Sequence, residues 1–67
     1  MKATFTTTED NGEAVIKNFP QLRLITKNNQ VLFFQAELTK ATEADRLIEK
    51  ASKKAIQLEL HKIGGSK

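Results

Sequence analysis

Sixty-seven residues, 39% apolar and 28% charged, have the composition of one small globular domain. The absence of cysteine excludes disulfides and thiolate metal sites, and a single histidine, His61, excludes a multi-histidine site. A net charge of +3 with a pI near 9.5 falls short of the dense basic stripe of a dedicated nucleic-acid binder.

Residues 3–8 are dense in threonine around Phe5 and predict a strand. They run into Asp10-Asn11-Gly12-Glu13, where Asn-Gly is the signature of a type I′ turn. A hairpin is therefore expected, with Thr8 opposite Val15 and Thr6 opposite Lys17. Ala3, Phe5, Thr7, Ala14 and Ile16 then share one face, and Pro20 ends the second strand.

Residues 21–26 and 31–38 predict a second hairpin about Asn28-Asn29, with Thr26 opposite Val31 and Leu24 opposite Phe33. Leu22, Leu24, Val31 and Phe33 fall on one face of it, and Ile25, Leu32, Phe34, Ala36 and Leu38 on the other. Both faces are apolar.

A helix is predicted from Thr42, where Thr42 and Asp45 approximate a capping box. Ala44, Leu47, Ile48 and Ala51 follow at helical spacing, and Lys50, Lys53 and Lys54 collect near its end. Beyond it, Ile56, Leu58 and Leu60 alternate with Gln57, Glu59 and His61, which predicts a last strand. No glycine or proline separates this strand from the helix, so a single helix over residues 42–63 stands as the alternative.

The expected fold class is α+β, in the order β-β-β-β-α-β, with one helix on one face of a mainly antiparallel sheet. The same order fits a five-stranded oligonucleotide-binding barrel. Residues 1–63 form the expected domain, and residues 64–67, Gly-Gly-Ser-Lys, a flexible tail. The longest apolar run, Val31-Leu32-Phe33-Phe34, is far below the ~20 residues of a membrane helix. No signal-peptide core follows Met1, so the cytoplasm is the expected compartment.

No catalytic constellation emerges. Serine occurs only at Ser52 and Ser66, and the one acid–base pair available is Glu59 with His61, side by side on a polar strand face. Glu9, Asp10, Asn11 and Glu13 lack the spacing of a calcium loop, and the glycines lack that of a phosphate cradle. No enzyme activity, cofactor, metal or membrane partner is expected. A 67-residue chain without staples relies on packing or on a second copy of itself.

The first functional expectation is a non-enzymatic binding protein acting through a protein interface. It would be an accessory or inhibitory subunit or a homo-oligomer, of the kind phages and mobile elements encode. The interface is expected at Ile25, Leu32, Phe34, Ala36 and Leu38, because one helix cannot cover both faces of the second hairpin. The alternative is a small basic nucleic-acid-binding domain, contacting its ligand through Arg23, Lys27, Lys50, Lys53, Lys54 and Lys62 with Phe34 nearby.

Overall fold

A computed structural model describes residues 1–61. The expected tail, Lys62 and the end of the last predicted strand at residues 62–63 lie outside the described residues. The elements run β1 (Lys2–Thr8), α1 (Glu9–Asn18), β2 (Arg23–Asn28), β3 (Val31–Glu37), α2 (Thr42–Lys53) and β4 (Glu59–His61). The four strands form one antiparallel sheet in the order β2-β3-β1-β4. The class is α+β, and the β-α-β-β-α-β order is two interlocked split β-α-β units, the ferredoxin-like arrangement.

Residues 9–18 are helix rather than the second arm of a hairpin, which corrects the first expected turn. Both hydrogen-bonding edges of β1 are taken, one by β3 from Lys2–Glu37 to Thr8–Val31 and one by β4 at Thr4–His61 to Thr6–Glu59. The segment after Thr8 instead buries Val15 and, one turn on, Phe19. Glu9 and Asp10 sit in the first turn of α1 and Lys17 in the last, matching the helix dipole. Gly12 belongs to the helix. A Cβ there would collide with Leu32 Cδ1, so glycine lets α1 lie close on β3.

The second hairpin forms, but its turn is one residue later than expected. Asn29 and Gln30 carry φ of 51° and 68°, the two left-handed positions of a tight hairpin turn. The ladder above the turn reads Asn28–Val31, Lys27–Leu32 and Thr26–Phe33. A β-bulge at Ile25 then shifts the register, so that Leu24 lies opposite Phe34 and Arg23 opposite Gln35.

One core sits between the sheet and the helices. The register places Ala3, Phe5 and Thr7 of β1 beside Ala36, Phe34 and Leu32 of β3 on a single face. Val15, Phe19, Leu47, Ala51, Ile56 and Leu58 join them in one buried cluster, so both helices cover that face. Phe5 and Phe34 are directly opposed and both fully buried. Each contributes on the order of 2–3 kcal/mol of transfer free energy.

α2 follows the predicted pattern, with Ala44, Leu47 and Ala51 buried, and the last predicted strand forms from Glu59, with Ile56 and Leu58 buried in the segment that leads into it. The long-helix alternative does not form. The helix stops because Ala55 adopts φ 60° and its N–H and that of Ile56 donate to Ser52 O and Ala51 O, a Schellman closure. The Thr42–Asp45 capping box is also absent. Glu43 instead ties the preceding turn to the helix start, its carboxylate accepting hydrogen bonds from Thr39 N at 2.9 Å, Thr39 Oγ1 at 3.0 Å and Lys40 N at 3.4 Å.

Candidate functional site

The expected interface residues divide. Leu32, Phe34, Ala36 and Leu38 are buried in the chain's own core, and only Ile25 is exposed, at 49%. Both helices, α2 and the α1 formed by the segment expected as a strand, pack on one face of the sheet and cover it, and the opposite face carries no helix. These four residues are therefore unavailable to a partner in the folded chain.

The basic residues expected at a nucleic-acid interface are also dispersed. Arg23 pairs with Gln35 on the helix-free phase of β2, whereas Lys27 pairs with Leu32 on the helix side and reaches Glu9 Oε2 at 3.4 Å. Lys50 and Lys53 are exposed on α2, and Lys54 at its C-cap. Phe34, the expected stacking residue, is inside. The aromatic on the helix-free face is its neighbour Phe33, half-buried, whose ring centroid lies 6.1 Å from that of His61. Those two residues pair with Thr6 and Thr4 of β1, the strand between them. Neighbouring strands lie about 4.8 Å apart, so the rings lean toward each other over β1 and help bury Thr4 and Thr6. Glu59 shares this face with His61, both solvent-exposed, as the period of two requires.

A groove between the end of β1, α2 and residues 55–59 has Glu59 as its one ionisable lining side chain among the described residues. Among the described residues, no group of three His, Asp or Glu side chains is placed to hold a metal ion, and no helix is long and apolar enough to cross a membrane.

The most distinctive surface lies at the other edge of the sheet. β2 is paired, among the described residues, only with β3, and all six of its residues are exposed. Among the described residues, four large apolar side chains are exposed: Met1, Ile16, Leu24 and Ile25. Leu24 and Ile25 lie on β2, with Leu24 at 45% exposure on the helix side of the strand.

Ile16 belongs with them. The Glu9–Lys27 ion pair and the seating of Gly12 on Leu32 show which stripe of α1 faces β2. Ile16 continues that stripe, two turns on from Glu9, or about 10.5 Å at ~1.5 Å per residue. Leu24 lies about 10 Å from Lys27 along β2 at ~3.3 Å per residue, in the same direction. Ile16 (56% exposed) and Leu24 thus stand at the same height beside the sheet edge.

Charge divides along this edge. The first half of α1 carries Glu9, Asp10 and Glu13, with Lys27 of β2 paired to Glu9, while the opposite end carries Lys17 at the close of α1 and Arg23 at the opening of β2. Comparison with protein families, characterised proteins and solved structures finds no match for this chain.

Proposed function

We propose that this chain is a non-enzymatic protein-binding module that engages its partner at the β2 edge. The observation that carries the reading is the coincidence of exposed Ile16, Leu24 and Ile25 with a six-residue strand whose outer backbone edge is unpaired among the described residues. An extended partner strand gains main-chain hydrogen bonds at such an edge, and the flanking apolar side chains add specificity. Full burial of an aliphatic side chain is worth roughly 1.5–3 kcal/mol before the costs of association. The test is capture of a protein from nuclease-treated host lysate on immobilised chain, compared with Leu24→Asp and Ile25→Asp. Capture that survives both substitutions removes the edge as the site.

A second reading is supported by Phe33 and His61. Aromatic rings on the open face of a four-stranded sheet are a stacking platform for single-stranded bases, and Arg23 lies on the same side. Glu37 and Glu59 share that face and offset Arg23 and Lys2, and the helix lysines lie away from it, so phosphate attraction there is slight. Protein binding is the reading preferred.

A further inference from the structure

We infer that the partner at the β2 edge is a second copy of this chain, with β2 pairing antiparallel to β2 of the other copy across a twofold axis. This rests on the protein-binding reading of the edge and adds the identity of the occupant.

A twofold interface is made from one patch used twice, so the patch must complement itself when its direction is reversed. This one does. The axis reverses β2, laying the half of the edge that carries Asp10 and Glu13 beside the end of the second copy that carries Lys17 and Arg23. Lys27 sits at the acidic end, but Glu9 already engages it at 3.4 Å, so it does not confront Arg23 of the second copy as a free cation. Ile25 is the third of the six residues of β2 and Leu24 precedes it, so an axis passing beside Ile25 gathers the two copies of both side chains, with Ile16 beside them. The bulge at Ile25 limits the regular ladder, so side-chain burial carries much of the pairing.

Sedimentation equilibrium of the whole chain over a wide concentration range tests this. The expected result is a shift from 7.5 kDa toward twice that mass, with Leu24→Lys and Ile25→Lys remaining monomeric and retaining wild-type circular dichroism. Lys17→Glu is expected to weaken the pair roughly tenfold, and Glu13→Lys combined with Lys17→Glu to restore it. Should a β2 variant misfold, amide exchange on wild type substitutes for it: outward-pointing β2 amides gain protection as concentration rises. A wild type that stays monomeric throughout overturns the proposal, as does a dimer broken by Phe33→Lys but not by the β2 variants. A monomer that still captures a protein in an edge-dependent way sinks the dimer alone. Failure of both experiments sinks the protein-binding reading with it.

Discussion

Ala55 holds φ of 60° where α2 closes, a conformation that costs a residue with a Cβ about 1–2 kcal/mol and glycine almost nothing. Glycine's greater freedom in the unfolded chain offsets part of this, so Ala55→Gly is expected to stabilise by about 0.5–1 kcal/mol. Thermal unfolding would show a rise of several degrees. Gly12 presents the opposite case. Alanine is the better helix former by about 1 kcal/mol, but its Cβ would drive Leu32, itself buried, out of place at an overpacking cost of about 1–3 kcal/mol. Gly12→Ala should therefore lower stability by about 1 kcal/mol, and adding Leu32→Val should recover part of the loss. Unchanged stability in the single variant would mean that α1 does not press on β3. These two residues also explain what the sequence obscures: a helix ends at an alanine where glycine would announce it, and a glycine that reads as a turn is there for a close approach.

Among the elements, β3 was legible as a continuous run of apolar residues, and α2 and β4 because their apolar spacing is regular and one-sided. α1 was not. Val15 and Phe19 at i, i+4 were the available signal, outweighed by Asn11-Gly12 and by the alternation that threonine-rich β1 lends to its neighbour. Losing α1 hid most of the candidate site, since Ile16 was assigned to the inner face of a hairpin. Leu24 was read on the face of Phe33 because a bulge, which flips the alternation of faces below it, leaves no trace in the sequence. Ile25 alone was foreseen as exposed. At the start of α2, hydrogen bonds from Thr39 and Lys40 lower the pKa of Glu43 below its ordinary 4.5. A depressed carboxylate stabilises the fold fully above its unfolded pKa, and the contribution fades as pH falls through the folded value. Wild type should exceed Glu43→Gln in thermal stability at neutral pH, with the gap closing below about pH 4.5. A gap independent of pH would show that the charge of Glu43 plays no part in this contact.

The whole molecule is two-sided, with helices on one face of the sheet and threonine, glutamine and Phe33 on the other. Adjacent phenylalanines report the difference. Phe34→Lys places an unpaired cation in the core and should unfold the chain, whereas Phe33→Lys should remain folded with a loss of about 1–2 kcal/mol. Far-ultraviolet circular dichroism of the pair decides it, and equal tolerance of both would mean the faces are misassigned. Charge is dispersed at this scale: Arg23, Lys27 and the α2 lysines share no surface. Oligonucleotide affinity is accordingly expected to be weak and to fall steeply between low and high salt, as titrations of single-stranded and duplex DNA would show. Tight, salt-resistant binding dependent on Phe33 would instead favour the stacking platform.

The position of β1 at the centre of the sheet has a kinetic consequence. Its partners, β3 and β4, both follow it in the chain, with Lys2 opposite Glu37 and Thr4 opposite His61. During synthesis β1 waits with both edges bare until distant segments emerge, and loop closure over those spans slows folding relative to a helical bundle of this length. A waiting strand rich in valine or isoleucine would be a nucleus for aggregation. β1 carries threonine at positions 4, 6, 7 and 8. Threonine keeps the branched shape that favours extended backbone while its hydroxyl makes the exposed strand less adhesive. The residue that makes the centre of this sheet unusually polar thus also protects it during the interval before it becomes a centre.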